Sequence, residues 1–167
     1  MTSSALDSPV APTATVTPLS PEALSEIVCG LAHAEGLWRP HVAHDELERV
    51  RLRLLATPAY EVWLLGWTPG QSTGLHDHGR ANAAFVVVDG ELTETTADGG
   101  QLTDHVLRAG DLGTVHAGTI HDVANRSTVN ATSIHAYSHP LTEMGYYGPD
   151  GGLQRIEPVE EQPTLIA

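Results

Sequence analysis

The stretch GLHDHGRANAAFVVVDG, from Gly74 to Gly90, decides how the chain is read. Its first half carries His76 and His78, two positions apart. On an extended strand, residues i and i+2 project to the same side, so both imidazoles can aim at one point. Its second half, Ala83–Val88, is a short β-branched and aromatic run. Asp89-Gly90 closes that run and favours a hairpin to the strand that follows. A lone His-x-His pair is more often surface decoration than a metal site, so the flanking sequence has to decide.

Working outward, Arg51–Leu55 and Tyr60–Trp67 read as strands split by a turn at Thr57-Pro58-Ala59. Glu91–Ala97, Gln101–Leu107, Thr119–Ala124 and Ala131–Tyr137 are further short strands, separated by Gly-, Asp- and Asn-rich turns. Many short strands at close intervals predict an all-β sandwich or barrel. A single helix is predicted from Pro21 to Ala34, with Ser20 as N-cap, Leu24, Ile27, Val28 and Leu31 at helical spacing, and Gly36 as the stop. The stretch from Gly148 onward reads as loop and edge segment. The expected organisation is a disordered, Ser/Thr/Pro/Ala-rich tail over 1–19, one domain over 20–155, and a C-terminal extension over 156–167.

Composition narrows the function class. Eight basic against twenty-one acidic residues give a formal charge of −13. That argues against nucleic acid and anionic membrane surfaces as partners. No apolar run approaches the roughly eighteen residues of a membrane span, and the N-terminus lacks the pattern of a secretory signal. The single cysteine, Cys29, rules out an intramolecular disulfide and suits a reducing, cytoplasmic setting. Cys29 sits on the helix and is assigned no chemistry. The sequence is silent on any oligomeric partner. Ten histidines outnumber all basic residues, and histidine is the commonest metal ligand.

His121, on another predicted strand, can join His76 and His78 to give three imidazoles with open positions opposite, as a catalytic metal requires. The spacing resembles the two motifs of the cupin superfamily, whose fold is a double-stranded β-helix barrel. The first motif reads Gly70, five residues, His76-Asp77-His78, four residues, Ala83, six residues, Gly90. The second reads Gly110, five residues, His116-Ala117-Gly118, two residues, His121, three residues, Asn125. The superfamily has Glu where this chain has Ala83, and Pro where it has His116. Alanine cannot ligate, so the ligand set becomes three neutral imidazoles, which leave the full charge on a divalent ion and favour an anionic ligand such as a thiolate.

That departure and three flanking stretches resemble the cysteine dioxygenase family of thiol dioxygenases. The stretches are Glu61–His78, Ile120–Asn125 and Ala131–Ser138, and the likeness spans roughly Arg51 to Leu141. The resemblance implies iron(II) on His76, His78 and His121, with L-cysteine and dioxygen as substrates and cysteine sulfinic acid as product, an oxidoreductase of cysteine metabolism. It implies a Ser133, His135 and Tyr137 relay on one strand face, Tyr137 offering its hydroxyl to substrate or dioxygen. It also implies an arginine for the substrate carboxylate; counting back from Tyr60 selects Arg53, with Arg51 in reserve. Animal members carry a cysteine at the Ala83 position, cross-linked to the relay tyrosine, which Ala83 cannot form. Members acting on cysteine commonly have Ser-Pro-Pro after the tyrosine, where this chain has Ser138-His139-Pro140. Alternatives are a 3-mercaptopropionate dioxygenase, whose relatives tend to replace the arginine with glutamine, and a non-catalytic cupin that binds a small acid.

Overall fold

The structure is a computed structural model that describes residues 17–160 and 162–166. Most of the expected tail, 1–16, lies outside the described residues. Leu19, at its end, is anchored: its N–H donates to Ser138 Oγ and its carbonyl accepts from Asn82 Nδ2, both at 2.9 Å.

Helix α1 spans Pro21–His33, N-capped by Ser20, whose Oγ accepts from Ala23 N–H. It stops at Ala34, short of the predicted Gly36. That glycine falls inside a second short helix, α2 (Glu35–Trp38), which runs into a 3₁₀ turn, Arg39–His41. The strands follow in chain order: β1 Val50–Ala56, β2 Glu61–Trp67, β3 His76–Asp77, β4 Asn82–Asp89, β5 Glu91–Asp98, β6 Gln101–Arg108, β7 Leu112–Val115, β8 Ile120–Ala124, β9 Ala131–Ser138, β10 Glu143–Tyr147, β11 Leu153–Pro158 and β12 Thr164–Ile166.

They form two six-stranded sheets, β12-β1-β2-β9-β4-β7 and β11-β10-β3-β8-β5-β6. This is the all-β cupin double-stranded β-helix with a short helical segment before it. Every residue of β2 is buried, because its two faces are covered by different layers. Trp63, Leu65 and Trp67 point into the barrel with Phe85, Val87 and Val115. Val62 and Leu64 face the other way, against Leu24 and Val28 of α1. That explains the unbroken apolar run, and each buried aliphatic side chain contributes roughly 1.5–3 kcal/mol over the exposed state.

Two expectations are corrected here. Asp89-Gly90 turns the chain, with Gly90 at φ +74°, but makes no hairpin. β4 pairs with β7 and β9, while β5 pairs with β6 and β8 in the opposite sheet. The local turn chemistry is met, and long-range pairing decides where the next strand goes. The two-residue hairpin lies one turn later, where Gly99 and Gly100, both at positive φ, join β5 to β6. The C-terminal extension expected over 156–167 is not separate from the domain. β11 crosses its boundary to pair with β10, and β12 adds in parallel to the edge of β1.

Candidate metal centre

β3 and β8 place His76 and His121 directly opposite each other as a cross-strand pair. His78 follows β3 in a turn that Asp77 holds: its carboxylate accepts from Gly79 N–H at 2.8 Å and from the Tyr147 hydroxyl. All three histidines are buried, and their ligating atoms lie within 4.8 Å of one another. The imidazole centroids are 4.6–5.0 Å apart.

The partners fix which nitrogen is free. His76 Nδ1–H donates to Gly74 O at 2.9 Å, and His121 Nδ1–H donates to Glu94 Oε1 at 2.8 Å. Both Nε2 atoms are therefore bare lone pairs. His78 Nε2 stands 3.1 Å from His76 Nε2 and 3.5 Å from His121 Nε2, and His78 Nδ1 is buried without a partner. Converging lone pairs in a buried site are stabilised by a cation between them, so the residues fit a divalent metal. Burial, followed by the neighbouring His121, pulls His76 down to about 3. Burial holds His78 well below its usual value too. Both are thus neutral ligands at ordinary pH. Among the described residues no carboxylate joins the cluster. Ala83 sits across from Tyr137 on β9, where it can neither ligate nor cross-link.

Ser133, His135 and Tyr137 share the inward face of β9. The direction of their hydrogen bonds follows from a fourth residue. Trp67 Nε1–H, which can only donate, gives its proton to Ser133 Oγ at 2.9 Å. The serine hydroxyl is then free to donate to His135 Nε2, 2.8 Å away. With the serine donating to Nε2, His135 carries its own proton on Nδ1, 3.3 Å from Tyr137 Oη. The tyrosine oxygen accepts, which leaves its O–H to point into the cavity. Burial raises the Tyr137 pKa, partly offset by Arg49, so the phenol stays protonated. Phe85 lies flat on His135, with centroids 4.7 Å apart and planes 8° from parallel. The phenol ring packs edge-on to His78 at 5.0 Å.

The cavity over this cluster is lined by Arg49, Arg51, Trp63, Leu65, Thr73, Val123, Leu141 and Met144 besides the histidines and Tyr137. Arg51 reaches it; Arg53 does not. Arg53 donates to Thr164 Oγ1 at 2.9 Å and to the Gln162 carbonyl, and pairs with buried Glu61 at 3.5 Å. Arg53 is opposite Trp63, whose indole takes the cavity wall. These acceptors, supplied by β2 and the segment leading through β12, outcompete the site for its guanidinium. Arg49, one residue before β1, was not singled out from the sequence. Its guanidinium lies 4.7 Å over the Trp67 ring and donates to Ser72 O at 3.1 Å. Arg49, Arg51 and Arg53 alternate, and that period-2 pattern was the available signal. Glu94 and Trp67 had no signal beyond lying on strands. The Ser138–His139 peptide is cis. His139 lines a neighbouring cavity with Arg80 and Glu143, which shares His78 and Leu141 with the one over the cluster.

The fold and the three-histidine cluster define a metal-binding cupin. The family model for cysteine dioxygenase type I matches residues 22–149. The chain belongs to that family, a family of non-haem metal thiol dioxygenases. Among solved structures it is similar to an uncharacterised conserved protein with a double-stranded β-helix domain from Klebsiella pneumoniae. That match has 20% identity and a TM-score of 0.53, covering 74% of this chain and 94% of that one. A cupin superfamily protein from Desulfitobacterium hafniense matches at 18% identity and TM-score 0.52, covering 61% of this chain and 87% of that one. A protein from Thermus thermophilus matches at 17% identity and TM-score 0.56, covering 61% and 93%. At these identities the likeness speaks for the fold. No helix among the described residues is long and apolar enough to cross a membrane.

Proposed function

We propose that the protein is a non-haem iron(II) dioxygenase that converts L-cysteine and dioxygen to cysteine sulfinic acid. Both oxygen atoms end on sulfur. The S–H bond is lost and two S–O bonds form. Sulfur gives up four electrons and dioxygen takes up four, so no further reductant is needed. One observation carries this reading: three imidazole Nε2 atoms converge, with no carboxylate in the cluster among the described residues, beside a tyrosine hydroxyl aimed into an arginine-lined cavity.

His76, His78 and His121 would hold the iron. Bound there, iron(II) supplies a Lewis-acidic, redox-active centre for a thiolate and dioxygen. The chain's own groups do the rest. Arg49 is held over the Trp67 ring and lines the cavity together with the three histidines, His135 and Tyr137. It is therefore placed to hold the substrate carboxylate near the triad, and its fork suits that group. Tyr137 keeps its proton and donates a hydrogen bond to whatever lies at the cavity floor. His135 and Ser133 orient that phenol. Leu65, Val123, Leu141 and Met144 exclude water, which strengthens each polar contact.

The test is oxygen uptake by protein loaded anaerobically with iron(II), with sulfinate measured alongside. The reading expects one sulfinate per dioxygen with L-cysteine, in preference to 3-mercaptopropionate. Preference for the latter would overturn the substrate, and no uptake with either thiol would overturn the activity.

A further inference from the structure

All eight basic residues of this acidic chain are arginines. Five of them, Arg39, Arg53, Arg108, Arg126 and Arg155, have a carboxylate within 4 Å. Two of the other three, Arg49 and Arg51, line the cavity over the histidine cluster, and nothing else lining that cavity is acidic. In a chain of net charge −13, two cations on one cavity with no carboxylate within 4 Å among the described residues favour an anion there. Close like charges are costly unless something neutralises them.

The two arginines stand at different depths. Arg49 is half-buried, stacked on Trp67, and belongs to the inner cavity alone. Arg51 is exposed, and it lines both the inner cavity and an adjoining outer one, as do Trp63 and Met144. The inner cavity measures about 60 Å³ and the outer about 290 Å³, so room for additional substrate atoms lies outward, past Arg51. The outer cavity limits how far an anion reaches. Its Glu157 is neutralised by Arg155 at 2.5 Å, but Glu160 has no cation within 4 Å among the described residues. A second carboxylate is therefore favoured at Arg51 and disfavoured beyond it.

We propose that Arg51 is a second anion subsite, and that the site also oxygenates short thiols carrying two carboxylates, one held by Arg49 and the other by Arg51. This rests on the dioxygenase reading for its chemistry, and the balance is unchanged: the thiol and dioxygen give the sulfinic acid of the dicarboxylate. The probe is mercaptosuccinate, which is 3-mercaptopropionate with a carboxylate added at the sulfur-bearing carbon.

Two measurements decide it. Calorimetry on the metal-free protein compares succinate with propionate, neither of which carries sulfur. Succinate is expected to bind at least tenfold more tightly, and Arg51→Met to erase the difference. Arg51 is exposed and makes no hydrogen bond or ion pair among the described residues, so its loss leaves no buried partner unsatisfied. Oxygen uptake then compares mercaptosuccinate with 3-mercaptopropionate. Their kcat/KM ratio is expected above ten, and to fall at least tenfold in Arg51→Met. Equal binding of succinate and propionate, or a ratio that survives Arg51→Met, overturns the subsite even if cysteine is oxygenated. Arg51-dependent succinate binding with no uptake for any thiol supports the subsite and removes the dioxygenase reading.

Discussion

Trp67 Nε1–H donates to Ser133 Oγ at 2.9 Å, which leaves the serine O–H for His135 Nε2 and so favours one direction for the hydrogen bonds running on to Tyr137. Remove the indole donor and the serine hydroxyl can turn, His135 can change tautomer, and the phenol loses its fixed orientation. Trp67→Phe keeps an aromatic ring in the core but deletes the donor. It is expected to lower kcat severalfold, with a much smaller change in KM. An equal loss in kcat and in thermal stability, or a rise in KM alone, would point to packing instead.

Glu94 acts from behind His121, accepting Nδ1–H at 2.8 Å in a buried pair. Glu94→Gln keeps an acceptor and loses the charge; Glu94→Leu loses both. Metal affinity, measured by competition with a chelator, is expected to fall about tenfold in the first and roughly a hundredfold in the second. Unchanged affinity in the leucine variant would remove Glu94 from the centre.

Gly113 lies opposite Phe85 in the β4–β7 ladder, and a Cβ there would come within 2.2 Å of the phenyl ring. That ring is the one stacked on His135. Gly113→Ala must therefore push Phe85 off the imidazole, at about 1–3 kcal/mol of overpacking, and should lower kcat as well as the melting temperature. Wild-type kcat in a folded Gly113→Ala protein would show that the stack does not hold His135.

Acid should weaken the metal-free fold. His76 titrates near 6.5 when unfolded and at about 3 in its buried site. Between those values the unfolded chain binds a proton that the folded one refuses, so stability rises with pH across the window and is lost as pH falls through it. The melting temperature of chelator-treated protein is expected to drop progressively from pH 6.5 to 5, above the range of ordinary carboxylates, and less steeply in His76→Gln. A flat profile would contradict the burial of a neutral His76.

Much of the centre was legible because strand geometry is local. Period-2 alternation puts Ser133, His135 and Tyr137, at i, i+2 and i+4, on one strand face, while the choice of His121 and of that series as site residues comes from the family resemblance. Period 2 puts His78 on the face of His76 along a continuous strand, but β3 ends at Asp77, and the turn held by Asp77 swings His78 back to the cluster. What escaped the sequence was long-range. Nothing near Arg53 says that Thr164 and Gln162 return to claim its guanidinium, or that an irregularity between Arg53 and Leu55 shifts the β1–β2 register. Asp89-Gly90 satisfied every local rule for a hairpin and was overruled by pairing with β9 and β7. The exposed β11 and the short β12 carry little apolar pattern, so their addition to the sheets left no mark in composition.

Counting imidazoles around bound iron tests the account at its base. Anaerobic titration with iron(II), followed by X-ray absorption at the iron edge, is expected to give one ion per chain with three imidazole nitrogens and no protein carboxylate. An ion held by fewer than three imidazoles, a carboxylate oxygen in its place, or no saturable binding would contradict it.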